Sequence, residues 1–180
     1  MITGHAFIAT SLDGFIARQD GDIAWLENVP TVGENHGFEP FMDTVDGLVM
    51  GRHTYEKVLA FDNWPYQKPV VVLSKSLRQD RVPARLSENV HVNADTPEVL
   101  MESLSRRGWK RVYVDGGQVI QSFLTAGLIE DLIITRIPVL LGSGRPLFGP
   151  LPNDVQLDHV ETTAFPSGLV QSKYRVRSDD

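Results

Sequence analysis

The chain has 180 residues, a formal charge of −6 at neutral pH and no cysteine. Its length suits one domain, expected over residues 1–180, with a substantial core; the lack of cysteine excludes disulfides, thiolate metal sites and a cysteine nucleophile. The acidic balance, with an isoelectric point near 5.3, argues against a nucleic-acid binder, so any anionic ligand must be met by locally gathered cations.

His5 to Ser11 reads as the first strand, ended by the turn Ser11-Leu12-Asp13-Gly14. Phe15-Ile16-Ala17 is an apolar island before a polar stretch. A short helical turn is expected at Ile23 to Glu27, and Asn28 to Gly37 is rich in helix and strand breakers. An irregular segment this long inside a domain reads as a lid or binding loop. A helix follows at Phe38 to Val45, then a buried strand at Gly47-Leu48-Val49-Met50 and a helix over Thr54 to Leu59.

Met50-Gly51-Arg52-His53-Thr54 joins that strand to that helix. Gly51 permits close backbone approach, Arg52 offers a fixed donor fork, and the amides of a new helix add partial positive charge. The alternative is an ordinary turn with a solvated arginine.

Val70 to Leu73 reads as a strand buried on both faces, followed by Ser74-Lys75-Ser76. Arg52, Ser74 and Lys75, with Arg78, would surround a phosphate monoester, the group that separates NADP from NAD. Solvated surface charge is the alternative for Lys75 and Arg78. A short strand at Val90 to Val92 precedes a helix capped by Thr96, opened by Pro97 and stopped before Gly108.

Arg111 to Val114 is the next strand. Asp115-Gly116-Gly117-Gln118 repeats the layout of strand, glycine and helix start, and a plain turn is again the alternative. A strained or cis peptide near Gly116-Gly117 is an expectation if a carbonyl must turn away from a pyrophosphate. The helix from Gln118 to Ala126 is closed by Gly127. Glu130 to Pro138 is a long strand, and Val155 to Thr163 with Leu169 to Val176 forms an antiparallel pair. The order implies an α/β fold: a mostly parallel sheet with helices on both faces and an antiparallel edge.

Gly142-Ser143-Gly144-Arg145-Pro146 fails the Rossmann fingerprint, and no P-loop is present. The five histidines lack metal-ligand spacing, so no metal is assigned. No segment reaches a membrane span and no signal-length apolar stretch opens the chain, so a cytoplasmic protein without a membrane partner is expected.

In chain order, Ala9 with Asp13-Gly14-Phe15-Ile16, Met50 to Thr54, Val72 to Ser76 and Val114-Asp115-Gly116-Gly117-Gln118-Val119 resemble the cofactor-binding segments of dihydrofolate reductases. Pro138 to Phe148 looks more like the reductase domain of riboflavin-pathway deaminase-reductases and their stand-alone relatives. The resemblance implies a three-layer dihydrofolate-reductase-like fold and NADPH lying across the carboxyl ends of the strands. It implies that Ala9 and Ile16 meet the nicotinamide carboxamide, and that Gly51, Arg52, His53 and Thr54 hold phosphates. Ser74 and Lys75 would border the adenosine side, with Gly116, Gly117, Gln118 and Val119 over the pyrophosphate.

The implied chemistry is hydride transfer to a small heterocycle or carbonyl, as in a 5-amino-6-(5-phosphoribosylamino)uracil reductase. Asp22 would be the acid, or else an N-cap for the turn beginning at Ile23. Trp25, Trp64 and Phe148 would line a substrate pocket, or else pack in the core. A non-catalytic nucleotide-binding module and a true folate reductase are the alternatives. The tyrosine frequent after the glycine pair of folate reductases is Ile120 here. A homodimer is implied by the resemblance alone.

Overall fold

In the computed structural model, which describes residues 1–177, the chain enters through β1 (Thr3–Ser11) and makes a short β2 (Phe15–Ala17). A 3-10 turn at Ala24–Asn28 leads to α1 (Phe38–Thr44). The α/β body then runs β3 (Gly47–Gly51), α2 (Arg52–Leu59), β4 (Val70–Leu73), β5 (Val90–Asn93), α3 (Pro97–Arg106), β6 (Arg111–Asp115), α4 (Gly117–Thr125) and β7 (Ile129–Ile137). After it come β8 (Arg145–Pro146), β9 (Leu157–Ala164) and β10 (Val170–Val176).

Eight strands form one sheet in the order β5-β4-β3-β6-β1-β7-β10-β9. β1, β3, β4, β5, β6 and β7 are mutually parallel, and β10 runs antiparallel to both β7 and β9. The chain returns from the β5 edge to insert β6 between β3 and β1. That reversal leaves a crevice at the carboxyl ends of the strands.

Each central strand feeds two cores because successive side chains point to opposite faces. Val49, Val71, Val112 and Val114 pack with Leu100, Met101 and Leu104 of α3 and Ile120 and Phe123 of α4. Leu48, Met50, Val70, Val72 and Tyr113 face the other way, onto Phe41 of α1 and Tyr55 and Leu59 of α2. The runs at β3 and β4 are therefore continuously apolar because both faces are covered. Fully burying a side chain such as Phe123 contributes about 2 to 3 kcal/mol.

Helices α3 and α4 end alike. Gly108 and Gly127 take left-handed φ values of +90° and +66°. The next residues reach back, with Trp109 N–H donating to Leu104 O (3.1 Å) and Leu128 N–H to Phe123 O (2.9 Å). These bonds satisfy carbonyls the helices leave open. Thr96 occupies the N-cap position of α3 but makes no side-chain cap bond there. Its hydroxyl instead supports the Glu98 carboxylate, after that residue's own N–H, and both keep Glu98 below the usual range.

The segment expected as an irregular lid is tied down. Trp25 is buried with Ile137 and Leu169, and Glu34 accepts from the backbone N–H and hydroxyl of Ser167, both at 2.7 Å. The Gln171 side chain donates to His36 O at 3.0 Å. β2 pairs with β8 in a separate two-stranded ribbon, which sequence periodicity does not register. Among the described residues no peptide bond is cis; the Gly116 turn is made by a φ of +95°.

Candidate functional site

A cleft of about 930 Å³ opens at the carboxyl ends of the parallel strands. Its floor is where β3 passes into α2 and β6 into α4. One wall is the loop after β4 together with the start of α3, and the other is Ile16, Gln19 and the strand β8.

Both helix starts are capped by glycine, which supplies no side-chain oxygen. The first N–H groups of α2 and α4 are therefore free for a ligand, and the helix dipoles make both ends favourable for negative charge. The glycines are also demanded by the protein itself. A Cβ on Gly116 would lie 2.5 Å from Thr54 Oγ1, and one on Gly51 would lie 3.1 Å from Val119. A Cβ on Gly117 would meet Ile16 at 2.9 Å and Pro146 O at 3.0 Å. These contacts bring two helix N-termini and both loops of the wall to one place.

Cations gather on the β4 side. Arg52 Nη1 donates to Ser76 Oγ at 2.9 Å, and its Nε pairs with Glu56 at 3.2 Å. The Ser74 hydroxyl oxygen accepts from the N–H groups of Leu77 (2.9 Å) and Ser76 (3.2 Å), so it builds the turn. That turn presents Lys75 and Ser76 to the cleft. Ser76 is thus a cleft residue in contact with Arg52, a part the sequence reading gave to Ser74; its place in the Ser-Lys-Ser run was the available signal. Arg78 pairs with Asp80 at 2.9 Å outside the cleft.

The structure brings Ile16, Gly51, Arg52, His53, Thr54, Ser74, Lys75, Gly116, Gly117, Gln118 and Val119 to the cleft lining. Ala9 is not among them; it packs against the cluster of Trp25, Ile137 and Leu169. Asp22 also lies outside. Its carboxylate accepts from Ala24 N–H at 3.3 Å and faces Arg18 Nε at 3.8 Å, an assignment to local turn structure. The three aromatic residues do not converge: Trp25 is core, Trp64 stacks edge-on between Tyr55 and Tyr66, and Phe148 is exposed.

Asp115 is a carboxyl that sequence reasoning passed over. It ends β6 immediately before Gly116, on the face that carries Tyr113. Burial pushes its carboxyl up to about 6, against the pull of the Gly116 N–H. The Tyr113 hydroxyl donates to Phe7 O at 2.9 Å. Phe7, Phe38, Phe41 and Tyr113 form an aromatic cluster in which Phe38 stands edge-on to Phe7 and both Phe38 and Phe41 stand edge-on to Tyr113. A carboxyl raised to about 6 and set immediately behind the cleft residue Gly116 is suited to proton transfer.

Among the described residues no group of three or more His, Asp or Glu is placed to hold a metal ion. Nor is any helix there long and apolar enough to cross a membrane.

The YwjB protein of Bacillus subtilis, itself uncharacterised, is 35% identical over 164 residues, covering 88% of this chain and 90% of that one. A crystal structure of a putative riboflavin biosynthesis protein from Shewanella sp. PV-4 is 40% identical with a TM-score of 0.92, covering 98% of this chain and all of that one. The fold is shared with a deaminase/5-amino-6-(5-phosphoribosylamino)uracil reductase of Thermotoga maritima (18% identity, TM-score 0.76, 98% of this chain, 57% of that one). It is shared too with Enterococcus faecalis dihydrofolate reductase complexed with NADP(H) (19% identity, TM-score 0.65, 98% and 97%). The model of the RibD C-terminal domain matches residues 3–171; the chain therefore belongs to the RibD C-terminal domain family and has a dihydrofolate-reductase-like fold.

Proposed function

We propose that this protein is an NADPH-dependent reductase acting on a small heterocyclic or carbonyl substrate. The first substrate to try is the 5-amino-6-(5-phosphoribosylamino)uracil named for the Thermotoga relative. The observation that carries the reading is the meeting, in one cleft, of two glycine-capped helix N-termini with Arg52, Lys75 and Ser76. This donor set fits a dinucleotide with an extra phosphate monoester: free backbone N–H groups suit the diphosphate, and a cation pair with a hydroxyl suits the monoester. Membership of a family with reductase relatives supports it.

When bound, NADPH supplies the hydride. The chain's own residues bind, orient and protonate. The α4 amides from Gly117 to Val119 and the α2 amides beside Thr54 receive the diphosphate. Arg52 and Lys75 receive the monoester, with Ser76 holding the Arg52 fork in place. Asp115 holds a proton at the edge of the aromatic cluster, for delivery to the substrate heteroatom that gains negative charge on reduction. Phe38, exposed and edge-on to Phe7, offers apolar surface for a planar ring.

A second reading is a nucleotide-binding module without turnover, favoured by the engagement of Asp22 with Ala24 and Arg18. Turnover assays with pyrimidine riboside phosphates, pteridines and simple carbonyls separate the two, because a module binds NADPH and never oxidises it. The reading includes a homodimer, and sedimentation equilibrium tests that element.

A further inference from the structure

The cation group around Arg52 leaves one arginine of the cleft unused. Arg145 lines the wall opposite, in β8. Its backbone is fixed by pairing with Ala17, and Gly144 beside it can carry no side chain because Ala17 O occupies that space. Arg145 Nε donates to Gln19 O at 3.2 Å. The guanidinium lies over Gly21, where a Cβ would stand 3.5 Å from Cζ. The loop carrying it is pinned by Asp13, which accepts from Leu141 N–H (3.1 Å) and Gly142 N–H (2.8 Å).

The stem of Arg145 is thus held while its two terminal nitrogens are not. Among the described residues they make no ion pair and no hydrogen bond, although the residue is half-buried and the chain carries a net charge of −6. Of the carboxylates only Asp95 lines the cleft, and Asn93 holds it at 2.9 Å. A preorganised guanidinium left without an acid in an acidic protein is arranged for an anionic ligand. The neighbouring Pro146 carbonyl borders Gly117, so Arg145 enters the cleft beside the start of α4. The bond between Arg52 and Ser76 marks the far, β4 side.

We propose that Arg145 is a separate anion-binding arm that grips the bridging diphosphate of the dinucleotide, while Arg52 and Lys75 read its monoester. The proposal rests on the NADPH reading above.

The test measures dissociation constants of NADPH and NADH by nicotinamide fluorescence, and of adenosine 2′-monophosphate by competition, for wild type, R145Q and R52A. Loss of a charge-assisted contact corresponds to roughly tenfold or more in affinity. R145Q should weaken NADPH and NADH by the same factor of that size and leave adenosine 2′-monophosphate unchanged. R52A should weaken NADPH and adenosine 2′-monophosphate more than NADH. The melting temperature of ligand-free R145Q should equal that of wild type, because the glutamine amide keeps a donor at the Nε position for Gln19 O and the terminal nitrogens bond nothing among the described residues.

Unchanged NADPH affinity in R145Q, with wild-type binding intact, overturns the proposal and leaves the NADPH reading standing. A lowered melting temperature, or equal losses for all three ligands, assigns Arg145 to holding the loop and overturns it as well. Absence of NADPH binding by wild type defeats the underlying reading itself.

Discussion

Gly116 and Thr54 stand so close that a Cβ on the glycine would lie 2.5 Å from the threonine Oγ1. The contact joins the starts of α2 and α4, and the glycine holds φ at +95°, a region costly for other residues. Gly116→Ala should therefore destabilise the protein by roughly 2 to 4 kcal/mol, combining backbone strain with displacement of Thr54. Urea unfolding reads this directly. Wild-type stability in the variant would show that the two helix starts are not locked together.

Arg52 bonds Ser76 across the β4 side of the cleft and pairs with Glu56 on its own helix. Both partners are well exposed, so Arg52→Ala should change stability by no more than about 1 kcal/mol. Its effect on NADPH binding should be larger, about 1.5 to 3 kcal/mol for a charge-assisted contact. NADH, which lacks the monoester, should be affected less. Equal losses for the two cofactors would remove Arg52 from monoester recognition.

Asp115 carries a pH signature. Its carboxyl is raised from 3.8 to about 6 by burial, so the folded chain keeps a proton that the unfolded chain has already released. Between those two values the contribution of this group to stability falls as pH rises, and the full cost is present above pH 6. Asp115→Asn should relieve a cost on the order of 2 to 3 kcal/mol at pH 7 and almost none at pH 4. Turnover should be lost in the same variant while NADPH affinity holds. Thermal melts across pH check the first expectation; a stability difference independent of pH contradicts it.

Asp13 joins the loop after β1 to the loop before β8. The Ser11 hydroxyl (2.6 Å) and the Gly142 and Leu141 amides hold its carboxyl below the usual range, so its stabilising effect is present at neutral pH. That effect is lost only as pH falls through the lowered value. Asp13→Ala should speed amide exchange at Leu141 and Gly142 and expose the following loop to proteolysis. Unaltered exchange at these two amides would mean that other contacts fix the loop.

The elements legible in the sequence are those whose burial is periodic. Gly47 to Met50 and Val70 to Leu73 are apolar throughout because helices cover both faces, and Leu100, Met101 and Leu104 recur at helical spacing on one face. Gly108 and Gly127 marked the helix ends that they make. The ribbon of Phe15–Ala17 with Arg145–Pro146 was not legible, since two or three residues carry no period and their pairing spans most of the chain. Asp115 was hidden for a similar reason: its character comes from burial beside Tyr113, not from its neighbours in sequence. Trp25 is open in the sequence between an aromatic pocket and the core, and the structure places it in the core between the early segment and Ile137 and Leu169. Chain-distant partners decide its fate.

The central claim is that this cleft holds NADPH, and the most direct measurement is a fluorescence titration of the purified protein with NADPH and NADH. The account predicts saturable binding of both, with NADPH the tighter because Arg52, Lys75 and Ser76 meet its extra phosphate. No saturable binding of either, or a preference for NADH, would contradict it.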